Sequence, residues 1–135
     1  MNSNQHADQI IILFKLLLRT HKSLLDFQKA TLEALEQKQY SPYDMLQMAI
    51  NHPEFEWLRQ ISILMADMDD RTSDKKNPAT AEDLNKFIHR LNEIFDESAP
   101  ESNFKNRLNV ALAKNAVLRL EVAALRTILS KTLQM

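Results

Sequence analysis

The sequence contains neither glycine nor cysteine among its 135 residues. Without cysteine, the chain has no disulfide, no thiolate nucleophile and no zinc–thiolate site. Without glycine, it lacks the phosphate-cradling loops, the dinucleotide-binding fingerprint and the G-x-S-x-G nucleophile elbow. It also lacks the Asn-Gly and Asp-Gly pairs that favour tight β-hairpins. These absences predict an all-α fold, because helices joined by polar connections can do without glycine.

The length and charge of the chain are typical of one globular domain. At this length a chain can bury a sizeable core, so we expect residues 1–135 to form a single helical domain. Charged residues make up 26% of the chain and the formal net charge is −1, a composition that does not favour disorder. The run IIILFKLLL, residues 10–18, contains Lys15 and is too short to span a bilayer. We therefore expect a cytoplasmic protein with no membrane partner.

Hydrophobic periodicity predicts an elongated bundle of four principal helices and one short connecting helix. The first helix covers residues 5–38 and is apolar on almost every side, so we expect it to contact more than one neighbour. Ser41 and Pro42 begin the connecting helix as its N-cap and first helical residue. The next principal helix begins in the same way, with His52 at or near the cap and Pro53 as the first helical residue.

Two polar loops separate the remaining helices. They cover residues 69–79 and 97–102, and between them Thr80 is placed to cap a helix. Pro100 begins the last helix, which we expect to run without a break nearly to the C-terminus. At about 1.5 Å per residue, helices of roughly 30 residues span on the order of 45 Å, which favours an elongated bundle.

The last helix carries two apolar faces with a line of charged residues between them. One face consists of Phe104, Leu108, Ala111, Leu118, Val122, Leu125 and Leu129. The other consists of Val110, Ala113, Val117, Leu120, Ala124 and Ile128. A single packing surface does not need both, so the helix either lies between two neighbours or contacts another chain. Asn115 falls in the first face, where a polar residue can fix the register of packed helices.

Three residues form a candidate pocket: His21, Trp57 and Arg59. Trp57 recurs at helical spacing with Ile61, Leu64 and Met68, which predicts a core anchor, with Arg59 on the opposite, solvent-exposed side near Glu56. His21 lies among leucines, where burial favours the neutral imidazole. Two interpretations stay open: His21 is a core histidine with a hydrogen-bond partner, or it works with Trp57 and Arg59 in a polar pocket.

No metal, cofactor or catalytic residue is predicted. The four histidines are His6, His21, His52 and His89, and no two of them have a spacing typical of metal ligands. The acidic stretch from Asp67 to Asp74 lacks the central glycine of a calcium loop and has Pro78 where that loop needs glutamate.

Charge is unevenly distributed along the chain. Residues 41–100 carry six positive and twelve negative groups, whereas residues 101–135 carry six positive and two negative groups. The basic last helix could contact phosphates through Lys105, Arg107, Lys114, Arg119 and Arg126. These residues are not gathered on one face, and attraction to the acidic middle of the chain or of a partner chain explains the imbalance equally well. We therefore expect no nucleic-acid partner, and we keep nucleic-acid binding as an alternative.

Two segments carry a resemblance to known sequences. LLRTHKSLLD, residues 17–26, together with HPEFEWLRQIS, residues 52–62, resembles a family of small bacterial all-helical proteins of unknown function. Gln60 stands where that family has proline, and Thr20 where it has leucine. The resemblance implies a bacterial source and an all-helical fold, and it implies no ligand or activity.

The leading functional hypothesis is a non-enzymatic interaction module. We expect it to form a homodimer, or to bind another helical protein, through the last helix with Leu118, Val122, Leu125 and Leu129 as anchors. The first alternative is an enzyme or small-molecule binder with a pocket near His21, Trp57 and Arg59. The second alternative is a nucleic-acid-associated regulator that uses the basic last helix.

Overall fold

A computed structural model describes residues 5–133 of the chain. Its elements are α1 (Gln5–Glu36), α2 (Pro42–Asn51), a 3₁₀ helix (Pro53–Leu58), α3 (Arg59–Ser73), α4 (Ala81–Phe95), α5 (Asn103–Lys114) and α6 (Ala116–Leu133). The described residues contain no β-strand, so the predicted all-α fold class is confirmed.

Three of the helical elements begin with a side-chain N-cap at the residue that the sequence predicts. The Ser41 hydroxyl accepts a hydrogen bond from the Asp44 backbone N–H at 3.1 Å, and the Asp44 carboxylate accepts one from the Ser41 N–H at 3.2 Å. Thr80 and Asp83 form the same reciprocal capping box at the start of α4. His52 caps the 3₁₀ helix through its Nδ1 atom. The predicted caps at Ser41, His52 and Thr80 are therefore confirmed.

Several helix ends differ from the prediction. Pro53 begins a 3₁₀ helix, and the principal helix that was predicted to begin there begins at Arg59. The last turn of α3 includes residues 69–73, which the sequence places in a loop. Arg71 in this turn donates from Nε to the Asp83 carboxylate at 2.9 Å, and this contact ties the end of α3 to the start of α4. Helix α5 begins after Ser102 and not at Pro100, because the Ser102 hydroxyl accepts the Lys105 N–H at 3.1 Å as an N-cap.

Asn115 interrupts the predicted long last helix. Its backbone is extended, with φ −129° and ψ 109°, and its Oδ1 accepts a hydrogen bond from the Leu118 N–H at 3.0 Å. An asparagine side chain competes with the backbone for such bonds, so it ends α5 and caps α6 within one residue. The prediction of one unbroken last helix was wrong. Among the described helices α1 is the longest, with 32 residues.

The end of α1 shows how the chain turns without glycine. Gln37 has a left-handed backbone with φ 53°, and the following Lys38 N–H donates to the Glu33 carbonyl at 3.1 Å. This bond satisfies a carbonyl in the last turn of the helix, as in a Schellman-type ending. A non-glycine residue in this conformation costs about 1–2 kcal/mol. The Glu33 carboxylate adds a second contact, accepting the Tyr40 N–H at 2.7 Å.

Helix α1 lies at the centre of the core and contacts α3, α4, α6 and the 3₁₀ helix. Its buried residues are Ile10, Leu13, Leu17, Thr20, Leu24, Gln28 and Leu32. The predicted stripe on the next elements, which consists of Trp57, Ile61, Leu64 and Met68, is buried against it. The position of Trp57 as a core anchor is therefore confirmed.

Candidate interaction surface

The four predicted interface anchors lie in the core of their own chain. The exposed fractions of Leu118, Val122, Leu125 and Leu129 are 0–1%. They belong to the same apolar cluster as the buried residues of α1 and α4, the two helices that α6 contacts from this side. A side chain that is already buried has no surface left to bury against a second protein. The assignment of these four residues as interface anchors was therefore wrong.

The second apolar face of α6 is open. Leu120 is 73% exposed and Val117 is 62% exposed, and Ala124 one turn further on is also exposed. Single exposed apolar side chains are common on protein surfaces, but a contiguous group of them is typical of an interaction site. Val117, Leu120 and Ala124 of this face therefore have little cover within residues 5–133, whereas Ile128 at its C-terminal end packs against the core.

Helix α1 extends this open face. Leu16 and Arg19 of α1 line a shallow cleft of about 150 Å³ together with Leu120, Glu121 and Ala124 of α6. Ile12, one turn before Leu16, is also exposed. We define the outer face as Ile12, Leu16, Arg19, Val117, Leu120, Glu121 and Ala124.

A polar contact holds the two helices of the outer face together. The Ser23 hydroxyl of α1 donates a hydrogen bond to the Glu121 carboxylate of α6. Ser23 follows Arg19 by one turn, so this bond lies beside the shallow cleft. It fixes Glu121, and with it the positions of Leu120 and Val117 relative to α1.

The outer face carries charges of both signs. Arg19 and Glu121 both line the cleft, and no ion pair between them is formed within the described part of the chain. A two-fold symmetric dimer brings one patch against a copy of itself, so a patch of single-sign charge would repel its copy. A patch with one cation and one anion can instead form pairs across the symmetry axis.

His21 makes an interhelical contact with α3. Its Nε2 atom lies 3.2 Å from the Ser62 hydroxyl oxygen of α3. Burial lowers the pKa of His21, which favours the neutral imidazole. A serine nucleophile needs a histidine base that a third group orients. Within residues 5–133 no carboxylate hydrogen-bonds to this ring, so the geometry favours the structural interpretation of His21.

The other two pocket candidates make polar contacts that do not involve His21. The Trp57 Nε1–H donates to the Gln28 side-chain oxygen at 3.0 Å, and Trp57 lines a cleft that includes neither His21 nor Arg59. Arg59 is half-buried and donates from a terminal nitrogen to the His52 carbonyl at 2.9 Å, so its prediction as a solvent-exposed residue was wrong. No hydrogen bond joins the three residues within the described part of the chain, and a pocket common to them stays a prediction.

Most basic side chains of the last two helices have partners within their own chain. Lys105 and Arg119 donate to backbone carbonyls, Arg107 pairs with Glu54, and Arg126 donates to the Phe95 carbonyl and pairs with Glu97. Both carboxylate partners lie within residues 41–100, the acidic middle of the chain. This agrees with the explanation that the basic last helix is attracted to the acidic middle of its own chain. Lys114 has no ion pair with any described residue.

Comparisons of the chain with protein-family models, curated proteins and solved structures found no match. Within residues 5–133, no group of three or more metal-ligand residue types is arranged to hold a metal ion. No helix in that range is both long and apolar enough to cross a membrane. The resemblance to the bacterial helical family stays a prediction, and the function is inferred from the surface of the molecule.

Proposed function

We propose that this protein is a non-enzymatic helical interaction module that forms a homodimer through its outer face. The observation that supports the proposal is the exposure of Val117 and Leu120 on the same helix that buries its opposite face in the core. Covering such side chains removes apolar surface from water, which stabilises an association by about 25 cal/mol per Å² before the entropic cost of binding.

A second copy of the chain suits this face better than a strongly charged partner. The exposed residues of α6 are spaced by three and then four residues, from Val117 to Leu120 and on to Ala124. This spacing is typical of a helix–helix seam. The small Ala124 side chain permits the close approach of a neighbouring helix. Arg19 of one copy can pair with Glu121 of the other, so the patch is complementary to itself.

The expectations about source and shape belong to the same proposal. The resemblance of residues 17–26 and 52–62 to the small bacterial helical family supports a bacterial, cytoplasmic protein. The length of α1 and its contacts with α3, α4 and α6 support an elongated bundle built around that helix in a single domain.

The oligomeric state in solution tests the proposal. We expect light scattering coupled to size-exclusion chromatography to give the mass of a dimer for the wild-type protein. Leu120→Glu should weaken the dimer at least about tenfold, because it places a carboxylate in the apolar seam and beside Glu121. Far-UV circular dichroism of this variant should be unchanged, because Leu120 contributes little to the core of the monomer.

Leu35→Glu is the matched control. Leu35 is 78% exposed near the end of α1 and lies outside the outer face, so this variant makes the same chemical change elsewhere. It should remain dimeric. A wild-type protein that stays monomeric at high concentration would overturn the proposal, and so would a dimer that both variants weaken equally.

A further inference from the structure

A cleft of about 270 Å³ lies beside Trp57 and is bounded by α1, the 3₁₀ helix and α5. Phe27, Trp57 and Val110 form its apolar wall, and Gln28, Arg107 and Lys114 place polar groups around it. Packing of the Trp57 ring against Phe104, with centroids 5.5 Å apart, holds the indole in position. The cleft shares helix α1 with the outer face but none of its residues, and it needs no dimer to be complete.

Gln28 supplies an amide group to the lining of this cleft. The residue is 5% exposed, and its side-chain oxygen accepts the Trp57 Nε1–H at 3.0 Å. An indole N–H can only donate, so this bond fixes which end of the amide faces Trp57. The NH₂ end of the amide therefore points away from the indole N–H, and Gln28 also lines the cleft. An acceptor atom of a bound ligand could take a hydrogen bond from this NH₂ group.

The charge around the cleft is positive. Arg107 lies over the Trp57 ring, with its guanidinium carbon 5.9 Å from the ring centroid, and Lys114 follows it by two turns of α5. One carboxylate, that of Glu54, also lines the cleft and lies 3.4 Å from Arg107. That pair is long and half-exposed, so it contributes little and leaves Arg107 able to bind another anion. Two cations and one anion favour a negatively charged ligand.

We propose that this cleft binds a small aromatic carboxylate. The carboxylate would accept hydrogen bonds from the Gln28 amide and lie near the cations of Arg107 and Lys114. The ring would contact Phe27, Trp57 and Val110. The volume is equivalent to roughly nine water molecules at about 30 Å³ each, enough for a single substituted ring. The combination of an apolar wall with a few converging polar groups is typical of small-molecule sites.

The fluorescence of Trp57 tests this proposal directly, because it is the only tryptophan in the chain. We expect phenylacetate to cause a saturable change in its emission and a shift of its indole N–H signal in NMR spectra. Benzyl alcohol, which has a similar ring and no charge, should bind at least about tenfold more weakly, since it cannot use the cations. Phenyl phosphate serves as a second anion with the same ring.

Two variants and one control separate the cleft from general electrostatic attraction. Arg107→Gln and Lys114→Gln should each weaken phenylacetate binding at least about threefold. Lys22→Gln removes one positive charge from an exposed position of α1 outside the cleft, and it should leave binding unchanged. The unliganded emission spectrum of Lys114→Gln should match that of the wild type, which shows that the cleft is still formed.

Four results would overturn the assignment. They are the absence of a saturable change with phenylacetate, equal binding of benzyl alcohol, binding of phenyl phosphate alone, and an equal loss of affinity in Lys22→Gln. None of these results bears on the proposed dimer, because the outer face and the cleft share no residue.

Discussion

The two faces of α6 have almost the same hydrophobicity and opposite environments. Leu118, Val122, Leu125 and Leu129 are completely covered, whereas Val117 and Leu120, one or two positions away in sequence, are mostly exposed. The difference arises from the neighbours: α1 and α4 contact α6 and cover its first face, whereas Val117 and Leu120 stay mostly exposed. Periodicity shows that a face is apolar, but only the three-dimensional arrangement shows which element covers it, or that none does.

Replacement of one leucine on each face of α6 by alanine should give the largest difference in the free energy of unfolding. Leu125→Ala removes a fully buried side chain and leaves a cavity in the core, so we expect the free energy of unfolding to fall by about 2.7–5 kcal/mol. Leu120→Ala removes a mostly exposed side chain, so the monomer should lose less than about 0.5 kcal/mol. Urea unfolding at low protein concentration measures both values. Similar losses for the two variants would contradict the burial of one face and the exposure of the other.

Replacement of Asn115 tests how the buried face is kept continuous across the break between α5 and α6. The buried residues Ala111 and Leu118 keep the spacing of one helical face although the backbone leaves the helix between them. Asn115→Ala removes the cap on the Leu118 N–H and should lower the free energy of unfolding by about 0.5–2 kcal/mol. Thr127→Ala, at an exposed site on α6, is the control and should cost less.

A gain in stability in Asn115→Ala would change the interpretation of the two faces of α6. If this variant gains stability and helical circular dichroism, the last segment favours one straight helix, and the asparagine is what prevents it. The positions of both faces relative to α1 would then depend on this single residue. We expect the opposite, because Asn115 satisfies a backbone N–H at the start of α6.

The features that could be predicted from the sequence depend on residues close together in the chain. The caps at Ser41 and Thr80 each need a partner three residues away, so the local sequence determines them. The burial of Trp57 also follows from local helical spacing. The break at Asn115 was missed because apolar periodicity continues through it, although the known preference of asparagine for capping positions was a usable signal.

The features that could not be predicted depend on contacts between distant residues. The bond from Trp57 to Gln28 joins positions 29 residues apart. One signal for it was present: Gln28 falls between Leu24 and Leu32 on the buried face of α1, and a buried polar side chain needs a partner. The bond from Arg59 to the His52 carbonyl had no such signal, because helical geometry alone placed Arg59 toward solvent.

The smallest expected effect concerns His21, on the side of α1 that faces α3. Burial lowers the pKa of His21 below its ordinary value of 6.5, so the unfolded chain binds a proton on this residue more readily than the folded chain does. The stability contributed by the neutral imidazole is therefore complete above about pH 6.5 and is lost as the pH falls toward the folded-state pKa. Thermal unfolding between pH 7.5 and 5.0 should show a decrease in Tm that is smaller in His21→Gln, because glutamine does not titrate and can keep a hydrogen bond to Ser62. His89→Gln changes an exposed histidine on α4 and should retain the wild-type decrease, so an equal reduction in both variants would mean that His21 is not the group responsible.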